Sequence, residues 1–217
     1  MKIHHLSEEN SILNQFLGEI RNIQVQQDRM RFRRNVERIG EIMAYEISKV
    51  LPHENVEITT PMGIKSTTQI KDPLVLCTIL RAGLTLHAGF LNYFDHAENG
   101  FISAYRHHIE NSDDFDIKVE YQAIADINNK TVLLIDPMLA TGQSIVAVFN
   151  KLLLKGTPKA IHIAVVIAAP EGIDYLKNHL PDHCHLWIAS IDEKLDEHHY
   201  IVPGLGDAGD LAYGIKL

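Results

Sequence analysis

Residues 131–156 read TVLLIDPMLATGQSIVAVFNKLLLKG, and the fold turns on how they are read. Val132-Leu133-Leu134-Ile135 is an apolar, branched run short enough for a buried strand. It stops at Asp136-Pro137. The proline biases Asp136 toward extended backbone, which puts the carboxylate at the strand's C-terminal tip. A turn of small residues follows, Leu139-Ala140-Thr141-Gly142-Gln143-Ser144. After it Ile145, Val148, Phe149, Leu152 and Leu153 recur at helical spacing.

A strand, a small-residue loop and a helix start make an anion site. The first N–H groups of a helix have no intrahelical partner, and the helix dipole favours negative charge there. Thr141 and Ser144 add hydroxyls, and Gly142 permits a close backbone approach. The loop can hold a phosphate while Asp136 faces hydroxyls or a metal beside it. A Walker loop is excluded because no Gly-Lys-Ser/Thr follows, and the dinucleotide fingerprint because GxGxxG is missing. An ordinary strand-to-helix turn capped by Thr141 or Ser144 remains the alternative reading of this stretch.

Outward from this unit the pattern repeats. Strands are expected at 74–80, 100–105, 131–136, 160–168 and 184–191, and helices at 84–94, 142–155 and 171–180. The alternation implies an α/β fold, a parallel twisted sheet flanked by helices. Residues 118–125 alternate as an antiparallel edge or flap strand does. Toward the N-terminus a helix is expected over 7–21, capped by Ser7, and a longer one over about 27–51. Residues 56–60 and 65–69 flank Met62-Gly63 as a hairpin. No linker, repeat or low-complexity segment interrupts the 217 residues, so one domain over 1–217 is expected.

Bulk numbers narrow the class. The net charge of −8 argues against nucleic acid and anionic membrane as partners. The longest uncharged apolar run, Ala160 to Pro170, is too short to span a bilayer, and MKIHHLSEENS has no apolar signal core. Cys77 and Cys184 fall in apparent strands without CxxC spacing, as buried thiols in a reducing compartment do. A cytoplasmic protein is expected. His183 and His185 share a strand face on this reading, but no third ligand stands at zinc spacing. Arg29, Arg31, Arg33, Arg34 and Arg38 form a basic cluster, either a solvated or subunit-contact face or a binding site for an anion.

Three other loops carry polar groups to strand ends. Arg81-Ala82-Gly83 follows strand 74–80 and offers a guanidinium with backbone N–H groups, which suits a diphosphate. Tyr105-Arg106 ends another strand beside the flap. The run YIVPGLGDAGD, Tyr200 to Asp210, has three glycines and a proline, so neither helix nor regular strand is expected there; Ile201, Val202 and Leu205 anchor it.

Asp136-Pro137-Met138-Leu139-Ala140-Thr141-Gly142-Gln143-Ser144 resembles the phosphoribosyl-diphosphate loop of the type I phosphoribosyltransferases. Together with the Arg-Ala-Gly loop, the Tyr-Arg pair and YIVPGLGDAGD in the same order, it resembles the uracil phosphoribosyltransferase family in particular. The likeness covers about 74–214. It implies a hood or flap beside the sheet, and transfer of the phosphoribosyl group of 5-phosphoribosyl 1-diphosphate to uracil, giving UMP and pyrophosphate. By it Arg81 and Arg106 reach the diphosphate, and Asp136 to Ser144 hold the phosphoribosyl group. Ile201, Gly206 and Ala208 contact the base. Asp207 faces the sugar diphosphate through Mg2+ carried by that substrate, with no metal held directly by the protein. A homodimer or higher homo-oligomer is implied, and GTP is a candidate effector. The family usually has glycine where Gln143 stands, so that side chain must point away from the phosphate. It commonly has arginine where Leu211 stands, so the terminal loop needs another support. The rivals on the same fold are an RNA-binding regulator of pyrimidine genes and a ligand-sensing relative without activity.

Overall fold

The computed structural model describes residues 1–108 and 115–216, with side chains described outside 105–116. The chain opens with a short strand, β1 (Lys2–His5), and two helices, α1 (Ile12–Arg21) and α2 (Arg29–Ser48). An antiparallel hairpin follows, β2 (His53–Thr60) and β3 (Gly63–Ile70). Strand and helix then alternate through β4 (Leu74–Leu80), α3 (Gly83–Tyr93), β5 (Glu98–His108), β6 (Phe115–Ala123), β7 (Thr131–Ile135), β8 (Met138–Leu139), α4 (Gln143–Leu153), β9 (Ala160–Ala168), α5 (Pro170–His179) and β10 (His185–Ile191). The C-terminal stretch holds β11 (Lys194–Leu195), β12 (Ile201–Val202) and α6 (Ala208–Tyr213).

The main sheet runs β1-β10-β9-β7-β4-β5-β6, with β8 continuing alongside β9. Its pairings are parallel except that of β5 with β6, which lie antiparallel at the edge. Successive side chains of a strand point to opposite faces, and here both faces are apolar. Leu74, Leu76, Leu133, Ile135, Val166 and Trp187 face α1, α2 and α3. Val75, Cys77, Val132, Leu134, Ile163 and Leu186 face α4 and α5. The central strands therefore read as continuous hydrophobic runs, and β4 and β9 begin and end where the sequence places them.

Several boundaries differ from expectation, each for a local reason. The first helix starts at Ile12, where Ser11 Oγ accepts the Leu13 N–H at 3.2 Å; Ser7 does not cap it. The residues before it form β1, which extends the sheet parallel to β10. The second helix is capped by Asp28, whose Oδ1 accepts the N–H groups of Met30 and Arg31 at 2.9 and 3.1 Å. The Tyr200 to Asp210 run is not irregular throughout: β12 pairs with β11, and α6 begins at Ala208. His183 and Cys184 precede β10, so His183 and His185 do not share a strand face. Both cysteines are buried and free, and burial pushes their thiols up to about 12 for Cys77 and about 11 for Cys184. Among the described residues no helix is long and apolar enough to cross a membrane.

Candidate active site

Ligands of parallel sheets bind beyond the C-terminal ends of the strands. Here β7 ends at Ile135 and the chain breaks step at Pro137, whose carbonyl accepts two N–H groups of β9, from Val166 and Ile167, each at 3.0 Å. The Asp136 N–H is held by the Ala164 carbonyl at 3.1 Å, and the Ala169 N–H by the Leu139 carbonyl at 2.9 Å. These bonds pin the segment from both sides and leave the largely buried Asp136 side chain at the edge of a cavity. Desolvation dominates at this carboxyl and raises it from an ordinary 3.8 to about 7. The N–H of Met138, 3.2 Å from Oδ1, pulls partly the other way.

The turn then reaches α4. Gly142 stands at φ +81°, a left-handed geometry that favours glycine, and a Cβ there would also press on Gly172 and Tyr175 of α5. Gly172 in turn lets α5 close against the Ala140 carbonyl. Among the described residues no side chain caps α4. The N–H groups of its first turn are thus left for a ligand, at the positive end of the dipole.

The cavity above these groups has a volume of about 680 Å³. From the phosphate-loop stretch, Asp136, Met138, Ala140, Thr141, Gly142 and Ser144 line it. Pro137 and Leu139 are instead buried under the loop, and Gln143 does not line the cavity. Arg81, Ile201, Gly206, Asp207 and Ala208 line it as well. The glycine-rich C-terminal run and the Asp136 tip thus share one enclosure. Arg106 lies in β5, but its side chain falls outside the described residues.

Two of the charged residues already have partners. Arg81 donates to Asp210 Oδ1 at 2.8 Å and to the Gly214 carbonyl at 3.4 Å, spanning from the end of β4 to α6. Asp207 caps α6, its Oδ1 accepting the Asp210 N–H at 2.9 Å. Thr85 and Tyr213 share a hydroxyl hydrogen bond of 2.7 Å, and Arg33 donates to the Ala212 carbonyl at 2.7 Å. These contacts secure the terminal segment where Leu211 replaces the expected arginine.

Most arginines of the α2 cluster have partners within the chain, although Arg29 and Arg34 remain exposed. Arg31 forks onto Glu19 at 2.7 and 2.8 Å, Arg34 pairs with Glu37 at 2.8 Å, and Arg38 lies over the Phe16 ring. Sequence reasoning missed two polar cavity residues, His199 beside the glycine-rich run and Lys216, while Ala104, also in the lining, directly precedes the Tyr105-Arg106 pair. Neither His199 nor Lys216 stands in a motif, so only the tertiary fold brings them in.

Among the described residues no three metal-ligating side chains converge. Two carboxylates, Asp136 and Asp207, do face the cavity. That donor set fits Mg2+ bound mainly by a substrate's phosphates, because this ion keeps several waters and takes only one or two carboxylates.

Comparison with known proteins shows the family. The family model described as uracil phosphoribosyltransferase matches residues 7–215. A uracil phosphoribosyltransferase from Porphyromonas gingivalis is 54% identical over 217 residues, the whole of both chains. One from Thermococcus gammatolerans is 35% identical over 97% of this chain and 92% of its own. A solved protein from Aquifex aeolicus superposes with a TM-score of 0.87 at 28% identity, covering 99% of each chain. On these grounds the chain belongs to the uracil phosphoribosyltransferase family.

Proposed function

We propose that the cavity joins N1 of uracil to C1 of 5-phosphoribosyl 1-diphosphate, releasing pyrophosphate and forming UMP. The observation that supports it most is the shared cavity, lined both by Asp136 and the start of α4 and by the glycine-rich C-terminal run. The free N–H groups after Gly142, with the Thr141 and Ser144 hydroxyls, take the 5-phosphate. Asp136 accepts hydrogen bonds from the ribose hydroxyls.

Ile201, Gly206 and Ala208 meet the flat base. Uracil presents two carbonyl acceptors flanking one N–H donor, a pattern that main-chain groups read without charged side chains. Cytosine replaces one carbonyl by an amino group and sets donor against donor, which discriminates strongly. Bond making at N1 accompanies breaking of the C1–oxygen bond, with positive charge on the ribose; pyrophosphate takes the electron pair of the broken bond, and the N1 proton is released to solvent. Arg81 and Arg106 face the departing pyrophosphate, and Asp207 meets the Mg2+ that the diphosphate brings. That ion neutralises charge on the leaving group. Arg81 must exchange Asp210 for the diphosphate, a trade between two charge-assisted pairs. Positioning and electrostatics then supply most of the acceleration.

The RNA-regulator reading has less support, because the net charge is −8 and Arg31 and Arg34 are paired with carboxylates of the chain. The expected setting is cytoplasmic, the expected assembly a homodimer or larger, and GTP a candidate activator to be scored by rate with and without it. The direct test is to mix the protein with Mg2+, uracil and the sugar diphosphate. UMP and pyrophosphate in equal amounts are expected; absence of nucleotide would overturn the reading.

A further inference from the structure

We infer that Arg21 and Asp192, neither of which lines the cavity, are the positioning residues that hold the base loop in its uracil-selective shape. The inference deepens the proposed reaction and rests on reading the Ile201 to Ala208 wall as the base site.

The geometry begins at Gly204. This residue stands at φ +61°, and a Cβ there would run into the Ile201 carbonyl, so glycine is required. Its N–H donates to Asp192 Oδ2 at 2.8 Å, and its carbonyl accepts from Arg21 Nη1 at 3.0 Å. Both main-chain groups of one residue are therefore held, midway between Ile201 and Gly206, which line the cavity.

The two clamping side chains are fastened to each other and to the scaffold. Arg21 forks onto both carboxylate oxygens of Asp192 and donates to Ser190 Oγ at 3.2 Å. Asp192 follows β10 directly, and its N–H bonds to the Ala168 carbonyl at 2.8 Å. Its side chain is 2% exposed and that of Arg21 is 21% exposed, so the carboxylate is buried under a guanidinium that solvent still reaches. Arg21 ends α1, where a cation complements the dipole. The buried Gln26 closes that helix end by donating to the Ile20 and Arg21 carbonyls at 3.2 and 3.1 Å.

A loop with three glycines has many accessible shapes, and main-chain hydrogen bonds weaken steeply when misaligned. Holding Gly204 from both sides removes most of that freedom where the base is read. The carboxylate also needs the guanidinium: without Arg21 it would be a buried charge, and the loop would shift to hydrate it. The clamp side chains bond to Gly204 and Ser190 and not to the phosphate loop, so their loss should act on the base and spare the sugar diphosphate.

The test compares wild type with Arg21→Lys, Arg21→Met and Asp192→Asn, in steady-state kinetics and amide hydrogen exchange. Wild type must first form UMP; if it does not, the reaction reading fails, and the exchange data still judge the clamp. The KM for uracil is expected to rise about tenfold or more in Arg21→Met and Asp192→Asn, and less in Arg21→Lys, while the KM for the sugar diphosphate stays within about twofold. The preference for uracil over cytosine should fall in the same order. Equal rises in both KM values, or a drop in kcat alone, would overturn the assignment. Exchange needs no variant to fold: in wild type the Gly204 amide should be protected roughly a hundredfold or more over a free chain, and an unprotected amide would equally sink the clamp.

Discussion

Asp136 carries opposing demands at the level of a single side chain. To accept two ribose hydroxyls it must be ionised, yet its surroundings push the carboxyl up to about 7. The sign is that of a raised carboxylate: folding favours the neutral acid. That contribution is complete below the ordinary value near 3.8 and is lost as pH rises through 7. Above pH 7 the ionised group burdens the ligand-free fold. Asp136→Asn should therefore cut turnover by roughly a hundredfold or more, since a neutral amide offers fewer acceptors and no charge. The same change should stabilise the free protein at pH 8 by on the order of 1–3 kcal/mol, with a smaller gain at pH 5. Thermal midpoints at the two pH values check this, and equal shifts at both would contradict it. Wild-type turnover in the variant would refute the role itself.

Elements differ in how far they can be read from sequence. Buried parallel strands announce themselves, because both faces need apolar residues; 74–80 and 160–168 are legible for that reason. The Asp136 tip and the loop after it are legible because strand, small-residue turn and helix start lie within one local stretch. β1 is not, since Lys2-Ile3-His4-His5 holds one aliphatic residue. It joins the sheet through partners that the sequence does not display: the His4 ring stacks on Trp187 at 3.7 Å, and Trp187 Nε1 donates to His162 Nδ1 at 3.1 Å. The six-residue α6 is hidden by its glycine and held by Asp207, Arg33 and Thr85 from outside. The Arg21–Asp192 pair spans 171 positions, beyond any local pattern. The stacked edge has a pH consequence. Desolvation first, then the neighbouring His185, holds both His4 and His162 down to about 4, and burial also lowers His185; for His4 the nearby Lys2 adds to this. A lowered histidine stabilises the fold fully above its ordinary 6.5, and the stabilisation fades as pH falls from there toward 4. Between pH 7 and pH 5 the protein should lose on the order of 1–2 kcal/mol on this account, most of it through His162, because solvent reaches His4. Urea titrations at both pH values measure the loss, and His162→Leu should shrink it; an undiminished loss in that variant would exclude the stack as its source.

The whole molecule leaves one part without an evident reason to be stable. Among the described residues β2 and β3 pair only with each other and form a sheet separate from the main one. The hairpin is mostly exposed, with Ile64 at 72% and Ile58 at 41% in its strands and Met62 at 96% in its turn. A two-stranded hairpin alone in water is marginal at best, and large apolar side chains at its tip are an interaction surface more often than decoration. The occupant to be tested is a second copy of this chain, because closed symmetric pairs are the commonest assembly and the family resemblance leads one to expect a homo-oligomer. A dimer would cover the apolar tip and lend the hairpin the third layer it lacks. Light scattering should then give a mass roughly twice the 24.5 kDa of one chain at micromolar concentration. Met62→Glu combined with Ile64→Glu places charge on that tip and should shift the mass toward one chain. In wild type the unfolding midpoint should rise with protein concentration, and in the charged variant it should not. A wild-type mass of one chain would show the hairpin to be stable alone, and a variant that stays paired would move the contact elsewhere on the surface.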